Sequence, residues 1–464
     1  MRSNLLSRCL LVIACALAIT ARGQCVEFYD GLCPGPSSCK CTLNESCGSR
    51  RPIEEVRSAS GGCSGSCITI DVADCHGDAL CLKPTGACGA QPPAPTPAPA
   101  YPSNFSRQWQ CPNYCIGKLP ADYLPSDRNL NAVPVTATLS DLVPAVQNIS
   151  NAAVILVKRL PDGTPRFKYF GNGHENFPVE TWSCSKIFSA MNGAGHMGIV
   201  CGVRNGLDQS TTGLYGLTPL GDLVTLMVTD DAEYPAYSGN SLGGWFEVLG
   251  GRHRAVKLIQ GWMNRSAESL GGNYGATPPS DLNFTDFQPS GCSVVPDTSQ
   301  TDISNTLSAL TMAELVKRVV MARELPAEVF PNTSWSDSEV LLYGAADSML
   351  FPGLKWGGMS ANTPNYLLLG INATEADQRS HGQYRTFSKN GGGYSYIRNA
   401  MEVTYNGYAC YPSAVDPEEG VEYFISIRVS IPGEFSAELE QLAFKRTHEA
   451  MRGINAAIYG GILV

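Results

Sequence analysis

Histidine is scarce. The 464 residues hold six, and none pair at His-x-x-x-His or a similar ligand spacing. A zinc hydrolase centre has little to be built from, and neither a metal nor another cofactor is expected. Charge is scarce too: 16% of the chain is Asp, Glu, Lys or Arg, the formal net charge is -9, and no run of Lys and Arg reverses that balance. Phosphate backbones and anionic membranes call for basic patches, so no nucleic-acid partner is expected. Beyond the first two dozen residues no apolar run is long enough to span a bilayer. Residues 454–464 are apolar but too few to serve as a lipid-anchor signal. There is no internal repeat.

What is present begins with an export signal. Arg2 and Arg8 give a positive start, residues 10–20 (LLVIACALAIT) form a short apolar run, and Ala21 and Gly23 are the small residues a signal peptidase reads. A signal peptide over 1–23 leaves Gln24 as the mature end. Losing Cys9 and Cys15 with it leaves 16 of the 18 cysteines, an even number suited to disulfides in an oxidising compartment. Glycosylation sequons begin at Asn44, Asn104, Asn148, Asn264, Asn283, Asn332 and Asn372. Together these features predict a secreted, disulfide-bonded glycoprotein.

Residues 24–90 hold ten cysteines, from Cys25 to Cys88, and few large apolar side chains. Such a segment cannot bury a sufficient core and needs cross-links. Zinc binding through Cys63 and Cys67 is the rival, disfavoured by the lone His76. This module suits a polymer or protein ligand, or a role as spacer. Residues 91–103 (QPPAPTPAPAYPS) form a Pro-rich linker of extended, stiff chain. Residues 104–464 read as one α+β domain. Strands are expected over 152–158 and 167–170 around the Pro161-Asp162-Gly163 turn. A mostly helical stretch follows, apolar over 223–228 and with helical spacing over 246–263, and an amphipathic helix over 311–323 opens with Thr311-x-x-Glu314 as a capping box. Strands return over 383–388, 396–405 and 421–431, and a long helix closes the chain over 436–457. Strands at both ends predict one antiparallel sheet, built from the two chain ends, packed with a helical insert.

Three short pieces carry chemistry. Ser183-Cys184-Ser185-Lys186 opens an apolar helical run, placing Ser183 and Lys186 on one face. Serine needs a base to become a nucleophile, and a shielded lysine can serve. A helix N-terminus also offers N–H groups to a developing oxyanion. Roughly one or two Ser-x-x-Lys matches are expected by chance in a chain this long, so the motif alone has little weight. Ser238-Gly239-Asn240 follows 55 residues later; a second hydroxyl can relay a proton, although a polar turn explains the triplet equally well. Lys389-Asn390-Gly391-Gly392-Gly393 lies beside a strand, where a lysine can bind a substrate carboxylate and glycines let substrate backbone lie close. The plain alternative is a Gly-rich hairpin turn.

The order Ser-x-x-Lys, Ser-x-Asn, Lys-x-Gly resembles the motif set of class A β-lactamases and penicillin-binding proteins over roughly residues 150–460. The resemblance implies a serine hydrolase working through a seryl acyl-enzyme on a small-molecule, peptide or cell-wall-type substrate bearing a carboxylate. It implies Ser183 as nucleophile, Lys186 as base or relay, Ser238 as proton shuttle and Asn240 as positioner. Lys389, Asn390, Gly391 and Gly392 would bind substrate, with the N–H groups of Ser183 and Gly392 forming the oxyanion hole. Arg398, expected on the neighbouring strand, would help hold the carboxylate.

Two departures qualify the resemblance. Asn390 stands where the family carries Thr or Ser. Before the Ser280-Asp281-Leu282-Asn283 tract, Pro279 takes the place of the deacylating glutamate, and Asn283 begins a sequon; Glu268 is another candidate. Without a positioned base the acyl-enzyme turns over slowly, which favours a peptidase-like hydrolase over an efficient β-lactamase. One rival is an extracellular binding protein that has lost turnover. Another is an α/β-hydrolase with Ser241 as nucleophile in Gly239-Asn240-Ser241-Leu242-Gly243 and His381 or His448 as base; Pro235 argues against the buried strand that elbow requires.

Overall fold

The computed structural model describes residues 66–70, 82–87, 101–112, 121–136, 138–214, 216–229, 237–270, 277–298, 305–362, 364–413 and 419–463. The expected signal peptide, nearly all of the Cys-rich module with Asn44, most of the linker, and Pro235 lie outside them. The chain divides into two compact units, Met1–Ala98 and Pro99–Val464. In the first, strands Ser66–Ile70 and Leu82–Ala87 pair antiparallel.

The second unit is built on a six-stranded sheet. Its strands are β1 (Val135–Thr136), β2 (Asn151–Arg159), β3 (Pro165–Gly171), β4 (Arg385–Ser395), β5 (Ala400–Pro412) and β6 (Gly420–Pro432), in the order β4-β5-β6-β2-β3-β1. All neighbours are antiparallel except the short β1–β3 pair. Both chain ends therefore feed one sheet, with β4 on its edge, and the helices lie between β3 and β4 in sequence. This is the α+β arrangement expected.

The alternation of side chains explains why strand β2 is apolar throughout. Ala153, Ile155 and Val157 face one core, while Ala152, Val154 and Leu156 face the other. The first core lies against the inserted helices: α1 (Lys186–Val200), α2 (Leu220–Thr229), α3 (Gly239–Gly250), α4 (Arg252–Trp262), α5 (Ala309–Val320) and α6 (Trp335–Tyr343). After the short α7 (Ala373–Arg379), the closing helix α8 (Ala437–Tyr459) buries Ala443, Ala450, Met451, Ile454 and Ile458 in the second core. Ser436 caps α8, its hydroxyl accepting from the Leu439 N–H at 3.1 Å.

Three local expectations are corrected. The single helix expected over 246–263 is two, broken where Gly251 takes φ +80°. The helix expected from Thr311 starts at Ala309, and Ser308 caps it by accepting the Thr311 N–H at 3.2 Å. The strand expected over 396–405 begins at Ala400, because residues 396–399 form the β4–β5 turn.

A strap, residues 101–112, crosses the start of β4. The Arg385 guanidinium is fully buried, 5.0 Å from the ring centres of both Trp109 and Trp356, and donates to the Asn104 carbonyl at 2.8 Å. Cys111 is bridged to Cys410, the β5 residue paired with Arg385. Cys201 is bridged to Cys292. No helix among the described residues is long and apolar enough to cross a membrane.

Candidate active site

Ser183 lies in a tight turn, Trp182–Ser185, that runs straight into α1. Trp182 takes φ +49°, a left-handed conformation costly for a non-glycine residue. Contacts from two strands hold it there. Its indole N–H donates to Glu402 Oε2 at 3.0 Å, and its ring covers Gly393, where an added Cβ would lie 2.6 Å from the ring. Glu402, on β5 with no exposed surface, also accepts from Arg398 Nε at 2.6 Å and Nη2 at 2.8 Å, and from Arg428 on β6. Burial pushes the Glu402 carboxyl up, but the bonds from Arg398 and the charge of Arg428 outweigh it and hold the group below its ordinary value.

The edge strand meets the same turn. A Cβ on Gly391 would fall 2.5 Å from the Ser183 backbone nitrogen and 3.1 Å from its Cα. Only glycine fits, and this close approach joins the first and third sequence pieces. Side-chain alternation puts Lys389 on the same face as Gly391, the face that meets Ser183. Lys186 and Lys389 are both fully buried. Cys184 adds to the seam: its Sγ lies 3.2 Å from the Lys389 carbonyl, and the Thr404 hydroxyl lies 3.2 Å from that Sγ, 3.2 Å from the Gly391 carbonyl and 3.0 Å from the Thr181 carbonyl. Burial pushes the Cys184 thiol up to about 11, so it stays protonated and inert. As Cys184 is a free thiol, not every cysteine of the chain is bridged.

The Asn390 N–H points out of the sheet edge to Asn362 Oδ1 at 3.2 Å, and Asn362 in turn donates to the Val228 carbonyl at the end of α2 at 3.2 Å. Two residues on, the Gly392 N–H faces the same edge, and Gly392 is exposed. The glycines thus lie inside β4 and not in a turn.

The second piece is less engaged. Ser238 caps α3, its Oγ accepting the Ser241 N–H at 3.0 Å and lying 2.8 Å from Ser241 Oγ. Ser238 and Asn240 are exposed. α3 does pack beside α1, where Gly193 meets Phe246 and Leu249.

Arg398 is corrected: it sits in the β4–β5 turn, not on the neighbouring strand, and its guanidinium is bound to Glu402. The tract beside Pro279 and the candidate base Glu268 are both tied into the structure. Asp281 accepts from the Leu214 N–H at 2.8 Å and from the Tyr237 hydroxyl. Glu268, buried, accepts from Arg265 at 2.7 Å and from the Ser308 N–H at 3.1 Å. Ser241 lies in the first turn of α3, the residues where an elbow strand would precede it (230–236) lie outside the described ones, and the main sheet is not the parallel one an α/β-hydrolase uses. Among the described residues no group of three or more His, Cys, Asp or Glu is placed to hold a metal.

Sequence reading missed Trp182, Glu402, Thr404 and Asn362. Only Trp182, directly before the serine, carried a local signal.

No protein-family model and no curated protein matches the chain. Among solved structures it is similar to a variant of PBP-A as its acyl-enzyme complex with penicillin G, at 12% identity and TM-score 0.39, covering 73% of this chain and 99% of that one. A β-lactamase from Streptosporangium roseum gives 12% identity and TM-score 0.39, covering 70% and 98%. A β-lactamase from Burkholderia phymatum gives 14% and 0.36, covering 71% and 99%.

Proposed function

We propose that this protein is an exported serine hydrolase of the β-lactamase and penicillin-binding type, acting by acyl transfer on a carboxylate-bearing peptide, amide, ester or lactam. The observation that carries the reading is the contact between the Ser183 turn and Gly391, with Lys186 and Lys389 of the same two segments both buried. In this scheme Lys186 Nζ, as the neutral amine, takes the Ser183 Oγ proton while Oγ bonds to the substrate carbonyl carbon. The bond from that carbon to the leaving group then breaks, the leaving group takes the proton, and water later hydrolyses the ester. The N–H groups of Ser183 and Gly392 stabilise the oxyanion, and Lys389 holds the carboxylate.

With Pro279 in the place of the family's glutamate and Glu268 held by Arg265 and the Ser308 N–H, hydrolysis of the ester is slow and the acyl-enzyme accumulates. Export is supported by the two disulfides and by the exposure of all six described sequon asparagines, Asn104, Asn148, Asn264, Asn283, Asn332 and Asn372. A second reading, a binding protein without turnover, is favoured by the pairing of Ser238 with Ser241. Mass spectrometry after incubation with penicillin G or a fluorophosphonate separates the two. A stable adduct on the Ser183 peptide, absent in Ser183→Ala and Lys186→Ala, supports the enzyme; an unmodified peptide in the native protein refutes it.

A further inference from the structure

The residue that leads into the Ser183 turn is tied to two separate elements. Residues Val179–Glu180 and Thr306–Leu307 pair antiparallel, and just beyond that pairing the Thr181 N–H and hydroxyl both donate to the Asn305 carbonyl at 3.2 Å. The Asn305 side chain donates in turn to Glu247 Oε1 on α3, at 3.2 Å, and Arg252 at the head of α4 stands 3.8 Å from the other Glu247 oxygen. Thr181 also offers its own carbonyl to the Thr404 hydroxyl of β5 at 3.0 Å, and the same hydroxyl lies 3.2 Å from the Gly391 carbonyl. Glu247, Asn305, Thr181 and Thr404 are all buried. In such surroundings a hydrogen bond is stronger than in water, and a lost partner is costly.

A string of hydrogen bonds thus runs from the helix that opens beside Ser238 and Asn240, through the turn that holds Ser183, to the strand that holds Lys389. Asn240 and Glu247 stand about two helical turns apart on α3. They share a face of that helix, so the bond to Glu247 also fixes the rotation that aims Asn240. We propose that Asn305, Thr181 and Thr404 are positioning residues that act as one unit, keeping the three separated pieces in a common register; the proposal rests on the serine-hydrolase reading. None of them needs to touch substrate. A space-filling role at 404 would be met by valine, which has the shape of threonine without its hydroxyl.

The test uses the full chain and a bare ethyl fluorophosphonate. Thr404→Val cuts the string between the turn and the edge strand, and Asn305→Ala cuts it between the turn and α3. Each is expected to slow acylation of Ser183 about tenfold, the effect of one buried hydrogen bond. Thr404→Ser, which keeps the hydroxyl, restores the native rate. The double variant is expected to be slowed about tenfold and not about a hundredfold, because changes within one network do not add. Thr447→Val is the control. It removes a buried threonine hydroxyl on α8 that donates to the Ala443 carbonyl at 2.8 Å, and it leaves acylation unchanged. A native rate in Thr404→Val, an equal loss in Thr447→Val, or a double variant slowed by the product of the single effects overturns the proposal. If the probe leaves Ser183 unmodified in the native protein, the hydrolase reading fails by itself. Hydrogen exchange of the 182–185 amides then decides the string: faster exchange in each single variant with no further gain in the double supports it, and native exchange in the single variants, or effects that add in the double, overturns it.

Discussion

Replacing Gly391 by alanine tests the contact on which the site is built. The new Cβ would fall 2.5 Å from the Ser183 nitrogen, 3.0 Å from the Cys184 nitrogen and 3.1 Å from the Ser183 Cα. All three are backbone atoms, so no flexible side chain can swing aside. Ordinary contact begins at 3.4 Å, and reaching it moves strand or turn by about 1 Å, a misplacement that costs on the order of a hundredfold in rate. Overpacking of this kind costs about 1–3 kcal/mol, which for a unit of this size lowers Tm by about 1–4 °C. Gly261→Ala is the matched control: nothing lies within 4 Å of that Cβ, the site is helical, and acylation is unchanged. Acylation is followed by intact-protein mass spectrometry with a fluorophosphonate, and stability by thermal unfolding. If Gly391→Ala is acylated at the native rate with an unchanged Tm, the turn and the edge strand do not meet, and the proposed cleft is wrong.

Glu402→Gln removes a buried carboxylate from Arg398, Arg428 and Trp182, and is expected to cost about 3–5 kcal/mol at neutral pH. Since the folded carboxyl lies below its unfolded value of about 4.3, its contribution is complete above that pH and is lost as pH falls through the folded value. The gap in Tm between the native protein and the variant should narrow on acidification towards pH 3; a gap independent of pH contradicts the ion-pair account. Glu180 behaves oppositely, because burial is the main influence and raises its pKa. Its penalty appears as pH rises, so Glu180→Gln should gain stability over the native protein between pH 4 and 7, and a loss there would contradict the assignment. Iodoacetamide at pH 8 should leave Cys184 unlabelled in the native protein and label it after unfolding; rapid native labelling would show the thiol to be accessible.

The legible parts of the fold were those where one local pattern sufficed. Strand β2 showed as an uninterrupted apolar run because both its faces are covered, and α8 showed through its length. The break between α3 and α4 was visible as Gly250-Gly251 and was overridden by helical spacing on either side. The β4–β5 turn was hidden: Tyr396-Ile397-Arg398-Asn399 has no Gly or Pro, and Asn399 supplies the left-handed residue at φ +47°. Arg398 was misplaced for that reason. At the site, the serine, the lysines and the glycines were readable as spacing. The clamp on Trp182 was not, because Glu402 lies 220 residues further along the chain and its carboxylate is tied down by arginines from two other places.

The strap at residues 101–112 has a practical consequence for dissecting this molecule. Trp109 and Cys111 are members of the first core, and Arg385 is enclosed by rings that the strap helps to supply. A shortened chain starting after Cys111 would leave that guanidinium stripped of Trp109 and of its carbonyl partner at Asn104, on the strand that four residues later carries Lys389. The shortest chain that keeps the candidate cleft in shape begins before Tyr101, whose ring stacks on Trp356.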